Sequence, residues 1–235
     1  ARGAEPLEVP TIEIRPVAST TELDRAVEDL AAGRFDWVVL TSVNGVAAVR
    51  ARAEALGQGP AVLAKARVAA VGPATEAALR DWGAAPDLVP EVATTAALGR
   101  AFPAGPGRVL LARADLATPE LGVLLRDQAW QATEVVAYHT VPVGALDPAA
   151  RRRLDAGEVD WIAFTASSTV EGFLRGYGGP PPPGVRVAAI GPVTAGAARA
   201  AGVRVATSAT EHTIPGLVEA IERAVTGRPD PGGVG

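Results

Sequence analysis

Four short segments carry the residue types from which an anion site could be built: Thr41-Ser-Val-Asn44, Gly72-Pro-Ala-Thr75, Thr165-Ala-Ser-Ser168 and Gly191-Pro-Val-Thr194. Each follows a short apolar run and precedes a helical pattern. A strand-to-helix turn exposes unpaired backbone N–H groups at the positive end of a helix dipole. With small hydroxyl or amide side chains beside them, such turns suit a carboxylate or a phosphate. The competing reading is that Ser, Thr and Asn merely cap helices and that Pro merely opens them. The parallel recurrence of the four turns favours a ligand for the set. Its candidate members are Ser42, Asn44, Gly72, Thr75, Thr165, Ser168, Gly191 and Thr194.

Tyr138, one of only two tyrosines, stands near the end of an apolar run and is followed by His139-Thr-Val-Pro142. Its phenol either donates a proton to a ligand or packs against the chain there. Arg113, Arg15 and Arg67 are cationic candidates for an acidic ligand, against the competing reading that exposed arginines are common and usually do nothing specific. Several other chemistries are absent. There is no Gly-Lys-Ser/Thr loop, no triple-glycine dinucleotide fingerprint and no Gly-x-Ser-x-Gly elbow. His139 and His212 are far apart in sequence and lack neighbouring carboxylates at metal-ligand spacing, so no metal site is expected.

Composition narrows the class. The 235 residues are 48% hydrophobic, enough for one large core or two modest ones. With no cysteine there is no disulfide framework, thiolate metal site or cysteine nucleophile, and the cytoplasm is the expected compartment. A net charge of −4 gives no overall basic field for nucleic acid, and no apolar run is long enough to suggest a membrane span.

The elements that must hold these residues are written twice. Asp36-Trp-Val-Val-Leu-Thr-Ser-Val-Asn-Gly-Val returns 124 residues later as Asp160-Trp-Ile-Ala-Phe-Thr-Ala-Ser-Ser-Thr-Val. Arg67-Val-Ala-Ala-Val-Gly-Pro-Ala-Thr returns 119 residues later as Arg186-Val-Ala-Ala-Ile-Gly-Pro-Val-Thr. Short β-branched runs alternating with helical stretches indicate parallel strands joined by crossover helices. Trp37 to Leu40 and Trp161 to Phe164 do not alternate with polar residues, as expected for strands covered on both faces.

A further strand is expected at Arg108 to Arg113 and a helix at Glu120 to Gln128. They lead into Ala132 to Val143, which resembles Ala4 to Val17 at a spacing of 126. The repeat places the first copy's equivalent of Arg108 before Ala1, so about twenty residues, a strand and a helix, are expected ahead of this sequence. The architecture that follows is α/β, with two flavodoxin-like or Rossmann-like parallel sheets of about five strands each. Residues 1–17 and 144–226 should form a discontinuous domain one and 18–143 an inserted domain two. Two crossing segments would join them, a ligand would lie in a cleft, and 227–235 would be a flexible tail.

These segments in this order resemble the uroporphyrinogen-III synthases. Asp36 to Val46 is similar to the family's D-W-hydrophobic-x-F-T-S-x-N-x-V segment. Val68 to Thr75 is similar to its hydrophobic-A-hydrophobic-G-x-x-T segment, and Tyr138-His-Thr140 to its Y-x-T. Phe164 to Ser168 and Ile190 to Thr194 resemble F-T-S-P-S and I-G-P-T-T, with Ala166 and Ser167 departing from the pattern. The likeness spans roughly residues 4 to 224.

It implies a cofactor-free monomeric lyase of tetrapyrrole and haem biosynthesis that closes hydroxymethylbilane to uroporphyrinogen III, inverting ring D and losing water. It implies Tyr138 as the catalytic acid. The eight substrate carboxylates would meet the turn residues, with Arg113 assisting. The preceding pathway enzyme, hydroxymethylbilane synthase, is a candidate partner. The alternative is a non-catalytic two-lobed sensor that binds a tetrapyrrole or another polyanion. A solute-binding protein with the same two lobes, and a phospho-receiver lacking its acidic cluster, fit less of the sequence.

Overall fold

The structure is a computed structural model that describes residues 3–227. The chain divides into two compact units, one of residues 1–13 and 141–235 and the other of residues 14–140. Boundaries read from the repeat fall after residues 17 and 143. The observed division instead cuts inside two strands, β1 (Ile12–Pro16) and β5 (Trp130–Pro142), rather than beyond them. Of the expected tail, residues 228–235 lie outside the described residues.

The unit of residues 14–140 is built on a five-stranded sheet. Its other strands are β2 (Trp37–Leu40), β3 (Arg67–Ala70) and β4 (Gly107–Ala114), and the order is β1-β5-β4-β2-β3. β2 pairs in parallel with both β3 and β4, and β4 in parallel with β5. Counted from β2, this is the flavodoxin-like order 2-1-3-4, with β1 in the fifth place. The helices are α1 (Thr21–Ala31), α2 (Val43–Ala55), α3 (Pro73–Trp82), α4 (Thr95–Ala101) and α5 (Glu120–Asp127).

Two-residue alternation splits the sheet into two apolar faces. Val38, Leu40, Val68, Leu110 and Ala112 pack with α1, α2 and α3, through Leu23, Val27, Val46, Val49 and Leu79. Trp37, Val39, Ala69, Val109 and Leu111 pack on the other face with Leu98, Leu121 and Leu125. All four residues of β2 are therefore buried, as its unbroken apolar run requires.

The second unit carries a smaller sheet. Its strands β6 (Trp161–Phe164), β7 (Arg186–Ala189) and β8 (Thr207–Ser208) lie in that order and are parallel. Around them are α6 (Pro148–Asp155), α7 (Ser167–Tyr177), α8 (Pro192–Ala200) and α9 (Ile214–Thr226). About five strands were expected here; among the described residues there are three. β2 lies between β3 and β4, whereas β6 pairs with β7 alone among the described strands. Burial follows from that difference, since of the β6 residues only Phe164 is buried.

The repeat extends further than the motifs suggested. Thr94, the N-cap of α4, accepts from Ala97 N at 3.1 Å, and Thr213, the N-cap of α9, accepts from Gly216 N at 3.1 Å. These threonines are separated by the same 119 residues as Gly72 and Gly191.

Candidate active site at the strand tips

In the unit of residues 14–140 the strand order reverses between β2 and β4, since the chain leaves β2 for β3 on one side and β4 for β5 on the other. Ligands of open parallel sheets bind beyond the carboxyl ends of the strands at such a reversal. Ser42 stands there as the N-cap of α2, in extended backbone, and its Oγ accepts from Gly45 N at 2.9 Å. The same oxygen lies 2.8 Å from the hydroxyl of Tyr138, contributed by β5. The bond therefore joins the tips of β2 and β5, two strands separated in the sheet by β4.

Tyr138 reaches Ser42 because the sheet is irregular at this point. Arg113 pairs with Val136, but the next residue, Ala114, pairs with Tyr138, so one position of β5 is skipped. Strict alternation would put Val135 and Ala137 on one face and Tyr138 on the other. After the skip, Val135, Ala137 and Tyr138 all belong to the cluster on the α1, α2 and α3 side. A bulge near a strand end re-aims a side chain in this way. Tyr138 is 7% exposed and forms part of the wall of a cavity of about 310 Å³. The rest of that wall is largely apolar, with Ile14, Val17, Leu23, Ala48 and Ala137, and Asn44, Thr20 and Arg52 add polar groups.

The other expected residues are placed unequally. Asn44 is exposed in the first turn of α2. Gly72 and Gly191 are the N-caps of α3 and α8, each in extended backbone that any residue adopts. Their lack of a side chain matters for space, because a Cβ would lie 2.7 Å from Ala93 Cβ at Gly72 and 2.9 Å from the His212 ring at Gly191. Thr75 and Thr194 are buried, at 3% and 5% exposure, inside the first turns of those helices. Thr165 is exposed and Ser168 half-buried. α7 is capped at Ala166, and Thr169 Oγ1 closes the turn by donating to Ala166 O at 2.6 Å.

Two of the candidate cations stand elsewhere. Arg113 points to the face opposite Tyr138, where its guanidinium donates to Thr118 O at 2.8 Å and pairs with the Glu134 carboxylate. Arg126 closes the cluster by donating to Glu134 at 2.6 Å. At 7% exposure, Arg113 braces β4 against β5 rather than presenting a free charge. Arg67 opens β3 at its amino end and lies over the Trp37 ring, 5.6 Å from the centroid, at the end of the strand remote from the tips. Arg15 belongs to β1.

A hydrogen-bonded carboxylate also sits at the tips. Asp115, just after β4, lies 2.8 Å from His139 Nδ1 through one oxygen. Its other oxygen accepts from the backbone N–H groups of Thr140 and Leu116, each at 3.0 Å. Burial tends to raise the Asp115 pKa, but the contact with His139 and these two N–H groups outweigh it and hold the carboxyl below its usual value.

Comparison with known proteins decides the family. The family model for uroporphyrinogen-III synthase HemD matches residues 1–219. A uroporphyrinogen-III synthase of Synechococcus elongatus is 32% identical over 95% of this chain and 87% of that protein. The chain belongs to the uroporphyrinogen-III synthase family.

A porphyrin biosynthesis protein HemD of Ruminiclostridium josui is 30% identical over 92% of the chain, which spans only 43% of that longer relative. Among solved structures, a mutant uroporphyrinogen III synthase of Thermus thermophilus superposes with a TM-score of 0.65 at 26% identity, covering 93% of this chain and 88% of that one. The enzyme of Helicobacter pylori, at 19% identity and TM-score 0.62 over 93% and 91% of the two chains, shares the fold. Members of the family are lyases of porphyrin biosynthesis, and the two-unit α/β fold is theirs.

Within this family assignment, the strand tips show residues that motif reading missed. Val43, Val92 and Leu116 in one unit, and Val193 and Ile214 in the other, are large apolar side chains 46 to 64% exposed. Val43, Val193 and Ile214 lie in the first turns of α2, α8 and α9, Val92 precedes α4 and Leu116 follows β4. A scattered exposed valine means little. Here they recur beside the helix N-termini of the repeat, three in one unit and two in the other. The exposure of Val43, Val193 and Ile214 could not be read from the sequence, because at helix position N1 or N2 the same residues could equally have faced the core. Among the described residues no group of three or more His, Cys, Asp or Glu is placed to hold a metal ion, and no helix is long and apolar enough to cross a membrane.

Proposed function

We propose that the chain converts hydroxymethylbilane, a linear tetrapyrrole, into uroporphyrinogen III, acting as a monomer in the cytoplasm and taking its substrate from hydroxymethylbilane synthase. The observation that carries this reading is the family match over residues 1–219. What the site adds is a phenol held at the strand tips by Ser42, beside a largely apolar cavity. A tetrapyrrole with eight carboxylates needs two kinds of surface, N–H groups for its anionic arms and apolar patches for its pyrrole faces. Each unit has both by itself, the first turns of α2 and α3 with Val43 and Leu116 in one, and the first turns of α7 and α8 with Val193 in the other.

The chemistry asked of the protein is modest. Tyr138 donates its proton to the terminal hydroxyl, the carbon–oxygen bond breaks with its electron pair going to oxygen, and water leaves. The azafulvenium carbon that remains is attacked by the far pyrrole at its substituted carbon. The spiro intermediate opens and recloses with that ring inverted, and the proton lost as the pyrrole regains aromaticity returns to the phenolate. Closing a ring from two distant chain ends is mainly an entropic problem, so holding the ends together supplies much of the acceleration.

The test is incubation of the chain with freshly made hydroxymethylbilane, followed by oxidation and chromatographic separation of the type I and type III porphyrins. Type III in clear excess is expected. Type I alone, as forms without protein, overturns the proposal.

A further inference from the structure

We infer that Ser42 is a positioning residue for the Tyr138 phenol, setting which way that hydroxyl donates; the inference rests on the catalytic reading above. A serine hydroxyl has one hydrogen and two acceptor lone pairs. The Gly45 N–H uses one of the lone pairs, at 2.9 Å. The remaining contact is with Tyr138, at 2.8 Å. When the Ser42 hydrogen points to the phenol oxygen, the phenol hydrogen is left to be donated elsewhere, toward a leaving hydroxyl. After that transfer the same Ser42 hydrogen stabilises the phenolate, and so does the positive N-terminal end of α2, which Ser42 caps.

A helix cap alone does not account for the residue, and the repeat supplies the control. The position equivalent to Ser42, 124 residues on, is Ala166, and α7 begins there without a capping side chain on the N-cap residue. The position equivalent to Tyr138, 126 residues earlier, is Ile12. One copy of the unit thus has both the hydroxyl and the phenol, and the other has neither. The turn folds in both. Two further features accompany the phenol: the skipped register that turns Tyr138 toward Ser42, and the cavity Tyr138 faces.

The experiment compares Ser42→Gly, Ser42→Thr, Tyr138→Phe and the double variant Ser42→Gly/Tyr138→Phe for type III formation from hydroxymethylbilane, with thermal melts as a check on folding. Glycine is chosen because it serves as an N-cap almost as well as serine while removing the hydroxyl. Ser42→Gly is expected to lower kcat about tenfold with KM within about twofold, and Ser42→Thr to recover most of the rate. In the Tyr138→Phe background, Ser42→Gly should cost nothing more, because residues acting as a unit are not additive.

Two results overturn the inference while leaving the catalytic reading intact: an equal loss in both backgrounds, or a raised KM at unchanged kcat; full activity of Tyr138→Phe removes Tyr138 as the acid and this inference with it. The second would make Ser42 a direct substrate contact. Failure of the unmodified chain to form type III product would remove the catalytic reading and this inference with it.

Discussion

Tyr138 shows how much a single residue is asked to do. On the proposed reading the substrate, hydroxymethylbilane, closes unaided to the wrong isomer, so the protein's main contribution would be to geometry and the acid would be an aid rather than a requirement. Tyr138→Phe should therefore lower kcat roughly 10- to 100-fold, toward the low end for loss of a general acid, and still yield type III porphyrin. A folded variant that makes none would show the phenol to be indispensable. Around it, the turn residues divide by exposure. Asn44 and Thr165 are available to a ligand, whereas the hydroxyls of Thr75 and Thr194 belong to the interior. Gly72 and Gly191 are buried, and the absence of a side chain lets Ala93 and His212 pack close against them.

At the scale of elements, glycines separate close packing from mere flexibility. Gly172 in α7 faces the backbone of Thr11, and a Cβ there would sit 2.1 Å from the Thr11 carbonyl oxygen. That oxygen accepts from Val143 N at 3.0 Å, and Thr11 Oγ1 donates to Thr169 O at 3.1 Å, so both segments passing this helix are tied where it approaches. Neither can retreat without breaking hydrogen bonds. Gly172→Ala is expected to destabilise the protein by roughly 2–4 kcal/mol.

Gly196 in α8 is the opposite case. It is exposed, and a Cβ there would meet nothing within 4 Å. Gly196→Ala should stabilise by about 0.5–1 kcal/mol through helix propensity and a less free unfolded chain. Urea midpoints for the pair check both signs, and equal midpoints would refute the packing argument.

At the scale of the whole molecule, acid should weaken the fold through identifiable carboxylates. The Asp24 pKa is lowered chiefly by its hydrogen bond from Arg52, with Thr20 adding a second donor and burial opposing. Arg52 Nε lies 2.5 Å from it, so the bond ties α2 to α1. Asp115 is held low by His139 and two backbone N–H groups. A carboxylate whose pKa is depressed by folding contributes stability that is complete above its unfolded pKa of roughly 4 and is lost as pH falls through the lower folded value. Asp24→Asn should thus be less stable than the unmodified protein at pH 7, and the gap should shrink as pH drops from about 4 toward 3. Urea melts across that range measure it, and a gap independent of pH would exclude the linkage.

Much of this protein could be read from its residues alone, because the physical rules involved are local. Unbroken apolar runs such as Trp37–Leu40 must be covered on both faces, and they became parallel strands under helices. Small polar or Gly-Pro turns after those runs had to open helices, and the duplicated motifs announced two units. Pairing decides the rest. Whether a run has one strand beside it or two cannot be seen in the run itself, which is why β6 looks like β2 in sequence but is far less buried.

Arg113 could not be separated from a free cation until Glu134 on the neighbouring strand was seen to claim it. The aim of Tyr138 depends on a one-residue skip between β4 and β5, a property of two strands together. Periodicity along one chain segment fixes which side chains share a face; only the partner strand fixes where that alternation is interrupted.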